Sequence, residues 1–312
     1  MLNKSKITIF GGLILLASAA AAFAQTMRVY VSASGDDANS CTMTAQCRTV
    51  TKALSIVDAG GEVVITASGD YDKFVVNKSV TVAAETGVNA AIVSSVGSAI
   101  SIVGVQPGDA ISFRNLHLVG IGGQTSDGII NSFAGTLTVD GCVFTGFNNA
   151  LTMSNVGGQL YVHDTTIRGS LFGIGILAQQ SEGVLKATID NCELEMNDTG
   201  IMISGKVSAE IRNSIFAGNT SRGLQVRSTA ANWRAEALVD NCQFNHNTAG
   251  ILAGATSGGF AVVRLSRSSI VNNALSGVSI GAGGTVFTLG NNVIAANFPD
   301  VNGGSLTPLA AK

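Results

Sequence analysis

The sequence predicts an all-β fold, a single-stranded parallel β-helix with three short strands per coil of about 25 residues. Three observations predict it. The first is eight copies of the pattern apolar-x-apolar-x-turn-x-x-[Leu/Ile/Phe], with the turn residue at Asn115, Gly141, Asp164, Asn191, Asn213, Asn241, Arg267 and Asn291. Three residues beyond each turn stand Leu118, Phe144, Ile167, Leu194, Phe216, Phe244, Ile270 and Ile294. The second is period-2 alternation before the turns: apolar pairs such as Leu160/Val162, Ala209/Ile211, Val263/Leu265 and Phe287/Leu289 alternate with residues such as Tyr161/His163 and Glu210/Arg212. The third is composition: 12% charged residues, with 38 Gly against 3 Pro, suits strands and tight turns. No repeat carries an apolar period of 3.6, which excludes a helical solenoid.

The chain begins with Lys4 and Lys6, an apolar run from Ile7 to Ala22, and Ala22-Phe23-Ala24. That order predicts a signal peptide over 1–24, with the mature chain starting at Gln25 and exported to the periplasm or beyond the cell. No second apolar span follows, so no membrane span is expected after its removal. The formal charge is −2 for the full sequence. It shows no cluster of Lys and Arg, which argues against nucleic acid and anionic membranes as partners.

Residues 25–61 read as an N-terminal cap. Cys41 and Cys47 share one loop and can bridge. Cys47 to Asp58 places Val50, Ala53, Leu54 and Val57 at helical spacing, and Gly60-Gly61 stops the run. A short helix there covers the open end of the solenoid. Coils follow over 62–299, the first strands being Glu62 to Ala67, Phe74 to Asn77 and Ser79 to Ala84. The third strand of a coil is marked by Gly-[Ile/Leu/Val], as in Gly128-Ile129, Gly173-Ile174, Gly200-Ile201, Gly223-Leu224, Gly250-Ile251 and Gly277-Val278.

An Asn precedes that strand at Asn197, Asn219, Asn247, Asn273 and Asn297, where stacked amides can pair. Cys142, Cys192 and Cys242 follow the turn in alternate coils. Two inter-strand steps of ~4.8 Å put them beyond disulfide reach, so they read as small core residues and not as a metal site. Asp190, Arg212 and Asp240 repeat opposite charges along one exposed face. Residues 300–312 read as a polar C-terminal tail.

These features resemble secreted bacterial right-handed parallel β-helix proteins of the pectin-lyase-like superfamily. The resemblance spans nearly all of the mature chain. It rests on Val29-Tyr30-Val31-Ser32-Ala33-Ser34-Gly35-Asp36-Asp37, Cys41, Cys47-Arg48-Thr49, the Asp190-Asn191-Cys192 and Asp240-Asn241-Cys242 turns, and Gly290-Asn291-Asn292. The superfamily holds polysaccharide lyases, hydrolases, epimerases, tailspikes and adhesins, so the resemblance implies the fold and contact with carbohydrate.

In polygalacturonase-like members, acids cluster at the start and on the outward face of the Gly-Ile strand, and two carboxylates flank the scissile bond. Here only Asp127, before Gly128, matches; the outward residues Ile130, Gly175, Met202, Gln225, Leu252 and Ser279 are not acidic. Pectate-lyase-like members use an Arg base with Ca²⁺-binding carboxylates, so Ca²⁺ enters only with a lyase reading and no other cofactor is expected. The candidate catalytic set is Asp198, Arg222 and His246 on three successive coils, where a uronate could lose a proton. The alternative for these residues is a solvated charge ladder. Glu195 and Arg227 beside them, with Trp233 in a longer loop and Tyr161 facing outward, are candidate ligand contacts. The outward residues Ile130, Met202 and Leu252 form a candidate partner stripe.

The favoured reading is an exported, non-catalytic scaffold that contacts extracellular or envelope polysaccharide or a surface partner. The alternatives are a polysaccharide lyase or glycoside hydrolase acting along the Gly-Ile face, and an adhesin or tailspike-like oligomer.

Overall fold

The computed structural model describes residues 26–132, 135–154, 157–178 and 183–309. The expected signal peptide, 1–24, lies outside them. The described chain winds through three parallel sheets of 12, 10 and 10 strands. Each coil contributes one strand to each sheet in turn, as with Leu185–Asp190, Glu193–Glu195 and Thr199–Gly205. The first sheet holds the strands before the repeat's turn, the second the short strands after it, and the third the Gly-Ile strands.

Turn chemistry fixes the coil corners. Asn115, Asp164, Asn191, Asn213, Asn241 and Arg267 all adopt positive φ, between 48° and 56°, and Gly141 does so at 61°. Asn and Asp tolerate this left-handed conformation, which explains their recurrence. The last coil differs from the sequence reading. Its left-handed residue is Gly290 and not Asn291. That one-residue shift reverses the facing of the strand before it. Val286 lies in register with Val263 in the core, while Phe287 is in register with Arg264, under its guanidinium.

The Gly of the Gly-Ile strand answers to a close approach of the next coil. A Cβ on Gly173 would lie 2.4 Å from the carbonyl oxygen of Gly200, and one on Gly200 2.6 Å from that of Gly223. No side chain fits there without moving the backbone.

The core is a continuous apolar column. Phe113, Phe144, Phe216 and Phe244 are fully buried, and Phe216 and Phe244 stack with centroids 4.4 Å apart. Cys142, Cys192 and Cys242 are free and buried in the same column. Cys41 and Cys47 form a disulfide.

Helix α1, Val50–Ile56, closes the N-terminal end. Its cap Thr49 accepts from the Lys52 N–H, and Val50, Ala53 and Leu54 are buried. Lys78 Nζ donates to the carbonyls of Leu54 and Val57, satisfying the last turn. The strand Arg28–Val31, inside the segment read as cap, already belongs to the first sheet. At the other end, Val301–Asn302 and Thr307–Pro308 pair with the preceding coil, so the segment read as tail carries strands.

Candidate functional site

The corner between the second and third sheets holds the sequence-predicted set. Its floor is the buried column Asn197, Asn219, Asn247 and Asn273. Asp198 follows Asn197, and its carbonyl accepts the backbone N–H groups of Ser221 and Arg222 at 2.8 and 3.1 Å. The two residues are thus joined through backbone. Their side chains go elsewhere: the Asp198 carboxylate accepts from the Thr199 hydroxyl at 3.1 Å, and Arg222 Nη1 donates to the Ser221 hydroxyl at 3.1 Å.

His246 precedes the Asn column rather than following it. It is exposed, in a left-handed turn that Met196 also adopts, with Nδ1 3.3 Å from Asn245 Oδ1. Among the described residues no ion pair or hydrogen bond joins the side chains of Asp198, Arg222 and His246. Glu195 lies one strand from Arg168 in the second sheet, in register with it. Asp127, the residue matching the family's acid, ties adjacent coils together. Its Oδ1 accepts from Asn149 N–H and Nδ2 at 3.1 and 2.8 Å.

Arg227 sits in a groove of about 370 Å³ on the Gly-Ile sheet. Gln225 and Leu252 stand in register on neighbouring strands, as do Arg227 and Gly254. Gly281 and Ala282 complete the floor. Arg227 Nε is buried and has no hydrogen-bond partner among the described residues. A buried N–H without an acceptor costs about 1–3 kcal/mol, so the side chain gains by turning that N–H outward to an oxygen in the groove. The small residues around it let a flat ring approach.

Trp233 is half-buried beneath Lys206, whose Nζ lies 5.8 Å from the ring centroid. Its carbonyl accepts from the Ser228 hydroxyl, which lines the Arg227 groove, so Trp233 anchors that groove's loop. Tyr161 stands apart on the first sheet, donating to Gln159 Oε1 at 2.7 Å and stacking on His163. The apolar stripe is interrupted: in register it runs Ile130, Thr152, Gly175, Met202, Gln225, Leu252, with two polar side chains.

A second groove was not anticipated from the sequence. It lies at the corner between the first and second sheets, about 480 Å³, and includes Glu85, Asn89, Asn115, His117 and Arg168. It continues through Glu85 and Asn115 into a further 310 Å³ that includes Arg28, Glu62 and Arg114. Glu62 is held between Arg28 Nε and Arg114 Nη2, both at 2.9 Å. Burial, and then the nearby Arg168 charge, hold the His117 imidazole below its ordinary pKa. The outward position of His117 between Leu116 and Leu118 was the available signal. Glu85, Asn89 and Arg168 reach it from other coils.

The sequence matches the family described as "Right handed beta helix region" over residues 98–264 and again over 149–306. No curated protein matches it. Among solved structures it is similar to an alginate lyase from Paenibacillus sp. str. FPU-7, with TM-score 0.56 and 13% identity over 90% of this chain and 99% of that one. It is similar to the GH136 lacto-N-biosidase from Eubacterium ramulus, with TM-score 0.57 and 12% identity over 91% of this chain and 67% of that one. It is also similar to XylC in complex with xylose, with TM-score 0.58 and 9% identity over 83% of this chain and 68% of that one. At these identities the likeness is one of fold.

Proposed function

Because the chain belongs to the right-handed β-helix family, we propose that it is an exported glycan-binding scaffold, and that it holds polysaccharide on its Gly-Ile sheet at the Arg227 groove. The observation that carries this reading is the buried, unpartnered Nε of Arg227 beside the apolar and small-residue floor of Leu252, Gly254, Gly281 and Ala282. Sugar rings offer both halves of that surface, an apolar face and ring-edge oxygens. The alginate lyase, the lacto-N-biosidase and XylC with xylose, by their names, all act on or hold carbohydrate, which supports the substrate class. Binding is favoured over cleavage because the corner carboxylate Asp198 and the Arg222 guanidinium each engage a local hydroxyl.

The test is a panel of neutral and acidic polysaccharides offered to the mature protein with and without Ca²⁺. Binding, new reducing ends and the ultraviolet absorbance of unsaturated uronates are read together. The expected result is binding of a neutral polysaccharide, with cleavage of none, weakened at least tenfold by Arg227→Met. Cleavage would replace the scaffold reading with an enzyme. Neutral-polysaccharide binding indifferent to Arg227→Met, or the absence of such binding, would overturn the site.

A further inference from the structure

The trough at the first corner is a separate surface with a different chemistry. Its sides come from coils far apart in sequence. In strand order along the first sheet, Arg28 lies five steps from the coil that carries Arg168, a span of about 24 Å. Three guanidiniums, Arg28, Arg114 and Arg168, share it with two carboxylates, Glu62 and Glu85. Glu62 is divided between Arg28 and Arg114, so part of each guanidinium fork stays unused. Arg168 enters no ion pair among the described residues and is exposed. In register with Arg168 is Thr145, whose buried hydroxyl also has no partner among them. His117 stands between Arg114 and Arg168, with Nδ1 3.3 Å from Asn89 Oδ1.

We propose that this trough binds an acidic glycan along the solenoid axis, with Arg114 and Arg168 gripping two of its oxyanions and Glu85 and Asn89 accepting from hydroxyls between them. Planar guanidiniums match sulfate, phosphate and carboxylate oxygens in bidentate fashion. A continuous phosphate backbone fits less well. A phosphodiester backbone brings few donors for Glu62 and Glu85 to accept from, whereas sugar hydroxyls supply them. A polymer that alternates hydroxyls with oxyanions meets both the cations and the acceptors. The trough is independent of the Arg227 groove, which lies on another sheet.

The experiment is calorimetric titration of the mature protein with dextran sulfate, oligogalacturonate and neutral dextran, alongside a single-stranded oligonucleotide. Variants are Arg168→Gln, Arg114→Gln and Arg227→Met, each checked for an unchanged melting temperature. The expected result is binding of the sulfated or carboxylated chain, weakened at least tenfold by Arg168→Gln and by Arg114→Gln but not by Arg227→Met. Dextran sulfate and oligogalacturonate as separate arms identify the oxyanion. Nuclear magnetic resonance of the His117 imidazole is to shift on titration in the wild type and in Arg227→Met. Equal binding of neutral dextran by Arg227→Met, equal or tighter binding of the oligonucleotide, failure of both acidic chains to bind, or indifference to both arginine variants would overturn the proposal. If neutral glycan binding is lost in Arg227→Met while acidic chains still bind, the two sites are distinct.

Discussion

Asp300 Oδ1 accepts both the backbone N–H and the side-chain amide of Asn297, each at 2.9 Å. It thereby terminates an amide ladder that runs inside the second corner. Asn297 Oδ1 accepts from Asn273 N–H and Nδ2 at 3.0 and 2.8 Å, and Asn273 Oδ1 accepts the same pair from Asn247. Asn247 does so for Asn219, and Asn219 accepts the Asn197 N–H at 3.1 Å. Each step joins one coil to the next, and a carboxylate in place of another amide ends the series with charge-assisted bonds.

Asp300→Ala is expected to cost about 1–3 kcal/mol, the penalty of leaving donors without an acceptor. The loss should begin at the C-terminal coils, so amide exchange at Asn297 and Asn273 is to quicken before that at Asn219. Asp300→Asn, which keeps one acceptor, should recover most of the stability in urea denaturation. Equal exchange in wild type and Asp300→Ala would show that the ladder needs no terminus.

Phe216→Ala should be the costlier change, at about 3–5 kcal/mol. Its ring is fully buried and stacks on Phe244 at 4.4 Å, so truncation opens a cavity between two coils that cannot close without moving the strands. Denaturant midpoints of Phe216→Ala and Phe216→Leu make the comparison, and a difference under about 1 kcal/mol would mean the column relaxes.

The coils were legible because one residue type recurs wherever the backbone demands it. Asn191, Asn213 and Asn241 take left-handed turns, and Gly173 and Gly200 meet the next coil's carbonyl oxygen. The Asp190–Arg212 pair was legible for the same reason, and its atoms meet at 3.1 Å. Sequence reasoning failed where one residue broke the period, as Gly290 did, and where a site draws on distant coils. Arg28, Arg114, His117 and Arg168 share no local pattern; only strand register places them on one trough. The corner set failed because its alignment to the Asn column was not applied. Asp198, Arg222 and His246 stand on adjacent coils, but Asp198 follows Asn197 while His246 precedes Asn247, so they do not stack.

The three unpaired cysteines make a chemical prediction. Burial pushes the thiols of Cys142, Cys192 and Cys242 up to about 12, so they are protonated at neutral pH. Each Sγ donates to a backbone carbonyl, such as that of Asp190 at 3.3 Å for Cys192. Iodoacetamide is expected to label none of them in the native protein near pH 8 and all three in guanidinium, as read by mass spectrometry. Rapid native labelling of any one would show that its coil opens.

The N-terminal cap carries the clearest acid sensitivity. Burial pushes the Asp37 carboxyl up, but hydrogen bonds from the Thr49 hydroxyl and the Thr49 and Arg48 N–H groups outweigh it, and the net shift is below the ordinary value of 3.8. The distances are 2.8 Å to the hydroxyl and 2.9 Å to each N–H. These bonds tie the segment before the Cys41–Cys47 loop to the start of α1, where Thr49 in turn caps the helix. A carboxyl depressed in the folded state contributes stability that is fully present above its unfolded pKa and is lost as pH falls through the lower folded value. The contribution of Asp37 is therefore constant at neutral pH and fades below about pH 4. Asp190 and Asp240 are depressed as well, the first with burial opposing bonds from Asn213 and Arg212, the second chiefly by Arg267, so the whole protein weakens in that range. Subtraction isolates the cap. Asp37→Asn should lower stability at pH 7, with the gap to wild type narrowing as pH drops below about 4. Melting temperatures of the two proteins across that range measure it, and a gap that stays constant would remove the Asp37 carboxylate from the acid response.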